Sequence, residues 1–531
     1  MSWRGWWTPV VLLAFAVVFT WPAAVTGDVP GHQPDALGTV WFLSAAPRLL
    51  LDLTDPLTGF PEGARYGRPD SFTLLVLGQI FAFIPAPRLY SLLLVVGVAT
   101  SAWAAEAFAR ALGARAPWSL LAGVAFMSCG LASTALLEGY GYHALNPWLP
   151  LFALAWLRAT SPGGTVRDGL LAGGAFLLAL LTTAWLGLAA TLLALGFLFG
   201  GLFRGSLAWR AVLAAPAVLV LPLAVYVKVF IDGGGATGSG ETGGAIAIDN
   251  QMVMTAIRLA GPGLSIDVDG HNQSAAMPAF ALALVAAAPI ALREHSRWRT
   301  VALTGLGAGL LAAAPRLPPE TWSSLGRIGE LIGFSLLRFP ERLGWAWVLC
   351  AGAVGARVAT GLGQRGGPAA YLIFLVAIVD VLLVMRMPWR QREASGVVPS
   401  AYAAAEGPVL DLWPEELRGL PAWALRTTNT ACFYQSAHRR PIADHCLLTY
   451  DAASPRVTWS RWLTDRLFVG DVAAAEARLA EVGFATIALH GDYFSDGDRL
   501  RLGAALAQID AAPAHSTDGG EAIWAYAVGA P

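Results

Sequence analysis

Three groups of residues in this chain have the types and spacing that chemistry needs. The first is Asp28, His32 and Asp35, packed into eight positions of TGDVPGHQPDALGTVWF. A carboxylate held in a partly desolvated cleft has its pKa raised and can act as a general base. The second is SIDVDGHNQ, which sets Asp267, Asp269 and His271 at alternate positions. Oxygen ligands of this kind suit Mg²⁺ or Mn²⁺, while Asp and Gly in such a run equally favour a solvated turn. The third is FSLLRFPERLGWAW, with Arg338 and Arg342 four apart around Pro340. On a helical turn the two guanidinium groups share a face and clamp a phosphate; as snorkelling side chains they anchor the chain at an interface.

The elements that position these residues are hydrophobic. The chain is 56% apolar and 13% charged, with a mean hydropathy of +0.56. A soluble protein carries about 25% charged residues, so the composition is that of a polytopic membrane protein whose first partner is the lipid bilayer. Lysine occurs only at Lys228 and no basic run is present, which argues against nucleic acid. Spans of about 20 apolar residues are expected at about eleven places: 7–25, 88–108, 118–136, 144–158, 169–184, 186–203, 209–230, 276–292, 300–314, 343–360 and 369–386. The run 7–25 is long for a signal peptide and AAVTG is a poor cleavage site, so it is read as an uncleaved first span. Phe72 to Ile84, closed by Pro85 and Pro87, is too short to cross and is read as an interfacial helix.

Arginine placement orients the spans. With a cytoplasmic N-terminus, the short inside loops hold Arg110 and Arg115, Arg158 and Arg167, Arg204 and Arg210, Arg293, Arg297 and Arg299, and Arg357 and Arg365. Each carries at least two, as the positive-inside rule asks. Loops 26–87, 231–275 and 315–342 then lie outside, with everything after Met387. Charge inside the spans is sparse: Glu106 and Lys228 lie near ends, and Asp380 is the main exception. Transporters usually carry more.

From Pro388 the chain reads as a small α/β domain. GPVLDLW is a buried strand, DVAAAEARLAEVG a helix feeding the strand FATIALH, Gly497 to Ile509 a helix and EAIWAYAV a final strand. TACFYQS and ADHCLLTY flank HRRP as a β-hairpin, which sets Cys432 opposite Cys446 at cross-strand distance and predicts a disulfide. Cys129 and Cys350 sit in apolar runs, where a free thiol packs as a small hydrophobe. His438, His445 and His490 show no nucleophile or metal spacing and are read as structural or binding residues.

Four short motifs, with three C-terminal segments, carry a resemblance. Asp35 followed six residues on by Trp41, the segment DPLTGFPEG, the stretch EGYGYHALNPWLPLFALAWLRA, the element RFPER and the C-terminal GPVLDL, RRPIAD and GFATIALH together resemble GT-C membrane glycosyltransferases. Within that class the chain looks like bacterial polytopic proteins related to protein O-mannosyltransferases and aminoarabinose transferases. The resemblance implies an all-α polytopic GT-C-like membrane domain over 1–387 and a small exoplasmic α/β domain over 388–531. It also implies a bacterial inner membrane, with the C-terminal domain periplasmic or extracellular, and a polyprenyl-phosphate-linked sugar as donor. It makes Asp35 the group that deprotonates or orients the acceptor hydroxyl, ahead of Asp28 and His32. Arg338 and Arg342 then face the leaving phosphate, and Glu138 and His143 supply a second polar contact beside Trp41. The first loop lacks the paired acids of the family. Two other readings stay open: a non-catalytic protein of this fold that binds lipid-linked glycans, and a lipid or glycan transporter.

Overall fold

The structure is a computed structural model. It describes residues 7–21, 29, 35–49, 54–65, 72–137, 141–205, 207–232, 297–313, 343–364, 397–414, 421–444, 446, 455–518 and 521–529. The expected spans 276–292 and 369–386 lie outside the described residues.

The apolar runs form helices: α1 (Trp7–Phe19), α4 (Ala86–Ala111), α5 (Trp118–Ser128), α6 (Gly130–Leu137), α7 (Trp148–Ala159), α8 (Val166–Thr182), α9 (Ala184–Phe203), α10 (Trp209–Asp232), α11 (Arg297–Ala313) and α12 (Gly344–Gln364). Between α1 and α4 lie α2 (Asp35–Leu49), the two-residue strands β1 (Thr54–Asp55) and β2 (Ala64–Arg65), and α3 (Phe72–Ile80). Among the described residues, Ala86–Ala111, Trp185–Phe203 and Gly344–Gln364 are long and apolar enough to cross a membrane. Apolar side chains point outward: Phe203 is 90% exposed, Leu213 67% and Trp7 62%. Water would not tolerate such a surface, and lipid requires it. The molecule is a membrane protein.

Local chemistry sets the boundaries. Pro85 precedes α4 and Pro87 lies in its first turn, where a missing N–H costs nothing. Thr165 and Asp168 form a reciprocal capping box at the start of α8. Two boundaries differ from the sequence reading. The expected span 118–136 is broken between α5 and α6, because Cys129 is extended (φ −61°, ψ 160°). The expected start at 144 is delayed to Trp148, since Asn146–Pro147 disfavours helix before the proline.

Small residues let the helices approach. A Cβ on Gly169 or Gly173 would overlap the carbonyls of Ala211 or Ala215, so α8 and α10 run side by side in the same direction. Gly196 meets Thr304 and Gly200 meets Thr300, an antiparallel register for α9 and α11. Ser119 donates to Glu106 while Gly123 meets Ala102, which makes α4 and α5 antiparallel. Glu106 is buried and also pairs with Arg110 at 2.9 Å. Arg115 N–H donates to Thr360 of α12. These registers gather Arg110, Arg115, Arg204 and Arg357 at one end of the bundle and the start of α4 at the other.

The C-terminal part builds a mixed four-stranded sheet in the order β3 (Val409–Leu412), β4 (Thr486–His490), β6 (Ile523–Ala527), β5 (Ala514–Ser516). β3 and β4 are parallel, paired Val409 to Thr486 through Leu412 to Leu489, and β6 runs antiparallel to β4 and β5. Helices α14 (Pro455–Phe468), α15 (Val472–Val482) and α16 (Asp496–Leu506) cover it, burying Leu463, Leu479, Leu502 and Leu506 against Ile487 and Leu489.

One expectation here is corrected. TACFYQS is no strand of a hairpin; it lies in helix α13 (Pro421–His438). Thr, Phe and Tyr suit a pleated surface, but here the segment packs along α2 on one side and meets the turn Ser400–Ala404 and Glu521 on the other, and that burial overrides propensity. Pro421 opens the helix, Arg439 at φ 56° ends it, and Pro441 keeps it from continuing. Cys432 and Cys446 are joined by a disulfide, with Cα atoms 5.7 Å apart. The bond ties a helix to the segment that follows it, where the sequence reading had a cross-strand pair.

Candidate functional site

The polar stretch after α1 holds a helix that the sequence reading left as loop. In α2, Asp35 is the first residue, and Ala36, Leu37, Val40, Trp41 and Leu43 are buried. A Cβ on Gly78 of α3 would collide with Ala46 and the Leu43 carbonyl, so α3 lies directly against α2. Trp41 is fully buried, and its indole Nε1–H donates to Oε1 of Gln435 in α13 at 2.9 Å. Gln435 stands one helical turn after the disulfide-bonded Cys432. The helix that begins at Asp35 is thereby held between the bundle and a cross-linked helix of the C-terminal part.

The turn after α2 docks on the same region. Arg48 pairs with buried Asp55 at 2.8 Å, and Asp55 Oδ1 also accepts the Leu57 N–H at 3.1 Å. Between β1 and β2, Gly59 N–H donates to Asp444 O (2.8 Å), Phe60 N–H to Ile442 O (2.9 Å), and Ile442 N–H to Leu57 O (3.0 Å). Ile442 also bridges Val409 of β3. The Phe60 ring meets Phe484 edge-on at 5.1 Å. Asp444 is ion-paired with buried Arg456. DPLTGFPEG and RRPIAD, distant in sequence, are two sides of one seam.

A third contribution comes from the turn Gly141–Ala144 and the residues up to α7. Gly141 abuts Tyr90 and Leu94 at the start of α4, the end of the bundle that α2 packs on. His143 is buried there. Asn146 is fully buried; its backbone N–H donates to Ser101 Oγ at 3.0 Å. Neither polar atom of its side-chain amide has a hydrogen-bond partner among the described residues. An orphaned buried amide costs about 1–3 kcal/mol, which makes Asn146 a candidate contact for a polar group. The sequence reading passed over it; the signal was an Asn–Pro pair at the mouth of an apolar helix.

Behind α13 lies a polar core. His490, at the end of β4, is fully buried, with Nε2 3.0 Å from Asp411 Oδ1 and Nδ1 3.4 Å from Glu521 Oε1. The Tyr402 hydroxyl donates to the same Asp411 oxygen, Tyr434 of α13 donates to Glu521 at 2.6 Å, and Trp413 stacks on the imidazole at 3.5 Å. Burial alone would lower the pKa of His490, but the hydrogen bonds and charges of Asp411 and Glu521 outweigh it and raise it to about 9. Burial would likewise raise both carboxylates, and His490 instead holds them below their ordinary values. His438, stacked on Tyr402, is lowered to about 4, chiefly by burial. This is a charged keystone under α13. The sequence reading treated His490 as structural or binding without seeing its partners, although a carboxylate inside the apolar strand GPVLDLW pointed to a buried counter-charge.

Of the residues singled out from sequence, Trp41, Cys432 and Cys446 come together through α13, and His143 lies at the same end of the bundle. Asp35 is placed as the start of α2, and its side chain lies outside what the structure describes. Asp28, His32, Glu138, Asp267, Asp269, His271, Arg338 and Arg342 lie outside the described residues, as does Asp380.

No protein-family model matches the sequence, and no curated protein matches it. Solved structures do match in three dimensions. The archaeal oligosaccharyltransferase AglB from Archaeoglobus fulgidus, in complex with an inhibitory peptide and a dolichol-phosphate, superposes with a TM-score of 0.51 at 11% identity, over 92% of this chain and 70% of that one. The arabinofuranosyltransferase AftD from mycobacteria matches with a TM-score of 0.51 at 16% identity, over 100% of this chain and 40% of that one. A mutant of AftD gives 0.54 at 14% identity, over 42% of its length. The chain has the fold of the GT-C membrane glycosyltransferases.

Proposed function

We propose that the protein is a membrane glycosyltransferase that moves a sugar from a polyprenyl-phosphate donor to an acceptor at the exoplasmic face of a bacterial inner membrane. The fold carries this reading. The AglB structure that shares it holds a dolichol-phosphate, a lipid phosphate of the kind the donor would leave behind. The clamp on α2 supports it further, because a catalytic group must sit on a rigid element to be useful.

In this reading Asp35 takes the proton of the acceptor hydroxyl. The acceptor oxygen bonds to the anomeric carbon, and the bond from that carbon to the phosphate oxygen breaks, its electron pair leaving with the lipid phosphate. Arg338 and Arg342 stabilise the phosphate charge. His143, Asn146 and Glu138 orient the sugar or the acceptor, and Asp28 and His32 flank the base.

The test is turnover of labelled polyprenyl-phosphate sugars by the purified full chain. Asp35→Asn is expected to lose about 100-fold or more in rate, the usual worth of a general base, with donor binding and the unfolding transition retained. Chelation in the same assay tests a Mg²⁺ or Mn²⁺ site at Asp267, Asp269 and His271. Donor bound by the wild type but never discharged would defeat the enzymatic reading in favour of a glycan-binding protein.

A further inference from the structure

A cleft of about 1130 Å³ runs between α9 and α11. It lies at the arginine-rich end of the bundle, away from Trp41, and does not depend on the role given to Asp35. Arg204, just after α9, and Arg297 and Arg299, at the start of α11, line one end. From there the cleft follows both helices to Leu192 and Leu311, about 18 Å at roughly 1.5 Å per residue. The close approach of Gly196 to Thr304 and Gly200 to Thr300 forms its floor. The walls are apolar and open outward: Phe199 is 53% and Leu303 40% exposed.

Among the described residues no carboxylate lines the cationic end. Arg204 donates through Nη1 to Thr300 Oγ1, while its Nη2 is buried with no hydrogen-bond partner among the described residues. Arg297 is close enough for its charge to act on Arg204, and no carboxylate among the described residues offsets it. Like charges brought together beside a buried, unpaired N–H are costly until an anion joins them. Guanidinium groups match the geometry of phosphate oxygens, and an apolar trough leading away from them matches a hydrocarbon tail.

We propose that this cleft binds a lipid with a phosphate headgroup, the phosphate on Arg204 and Arg297 and the tail along Phe199 and Leu303. Two sources share that chemistry: an anionic membrane phospholipid and a polyprenyl phosphate. Their common site is separable from α2 and Trp41, which lie toward the other end of the bundle.

The test uses the full chain in detergent, titrated with phosphatidylglycerol, undecaprenyl phosphate or inorganic phosphate and read by native mass spectrometry. Three variants are compared. Arg204→Gln with Arg297→Gln removes two charges, and a loss of about thirty-fold in affinity is expected from the usual worth of a basic residue on an anionic lipid. Gly307→Leu fills the trough, since a Cβ there meets nothing within 4 Å, and is expected to lose lipid binding while the fold persists. Gly174→Leu on α8, equally unhindered, is expected to change nothing. Saturable binding of either lipid, lost in the first two variants and kept in the third, supports the proposal and names the source. Lipid binding indifferent to both the arginine pair and Gly307 overturns it. So does inorganic phosphate binding as well as either lipid, sensitive to the arginines but not to Gly307, which would leave an anion site without a tail.

Discussion

A fully buried imidazolium persists only while its neighbouring carboxylates stay ionised. His490, raised from 6.5 to about 9, contributes stability that is complete below about pH 6.5 and is lost as pH rises through about 9. His438, lowered from 6.5 to about 4, works in the opposite sense: its neutral form is the native one, so stability falls as pH drops below about 6.5. Asp411 and Glu521, held below their ordinary 3.8 and 4.5, add a further loss in stronger acid. Unfolding followed by intrinsic fluorescence in detergent should therefore show greatest stability near pH 6.5. A transition unchanged from pH 7 to pH 10 would contradict a charged His490. Asp411→Asn strands the imidazolium, and breaking a buried pair costs about 3–5 kcal/mol. The same substitution should flatten the alkaline limb.

At the scale of elements, α13 joins the two halves of the chain beside the seam of the β1–β2 turn. It offers Gln435 to Trp41, Tyr434 to Glu521 and Cys432 to the disulfide. Trp41→Phe keeps most of the ring and leaves the Gln435 carbonyl oxygen unpaired, for a loss of about 1–2 kcal/mol. Paired with Gln435→Leu, the two losses should fall short of additive by about 1 kcal/mol, as expected for residues in contact; additive losses would mean the hydrogen bond is not made. Serine at both Cys432 and Cys446 opens a 14-residue separation, and a loop of that length is worth about 3 kcal/mol. The helix itself was not legible in the sequence. Its Thr, Phe and Tyr content resembles a strand, and only the presence of α2 on one face decides the matter. For α2 the clue was visible, a run of apolar residues from Ala36 that needed burial, but the polar residues before and after it masked a helix inside a loop.

For the molecule as a whole, alternating helix direction was readable because arginine marks one end of each pair, and the registers of α4 with α5, α8 with α10 and α9 with α11 agree with it. Alkaline phosphatase fused at Arg110 should be inactive and fused after Pro388 active; the reverse result would invert the assigned orientation. Three strands of the C-terminal sheet were legible from turn residues and apolar runs, since β3 and β4 are buried throughout and β6 at Ile523, Ala525 and Tyr526; the short edge strand β5 was not. The seam between the first loop and segment 441–444 was not, because backbone hydrogen bonds between remote segments leave no periodic signature. Nor were the partners of His490, which come from β3 and from the edge of β6.

That seam also imposes an order in time. Trp41 and Gln435 are 394 positions apart, so the loop carrying Asp35 leaves the ribosome long before the helix that secures it. At about 5–20 residues per second, α2 and the β1–β2 turn wait about 20–80 s with their backbone donors unclaimed and an indole exposed. A chain stalled before α13 would carry α2 and the β1–β2 turn in an unfinished state. Emergence of α13 and segment 441–444, rather than insertion of the early helices, is the moment at which α2 gains its anchors.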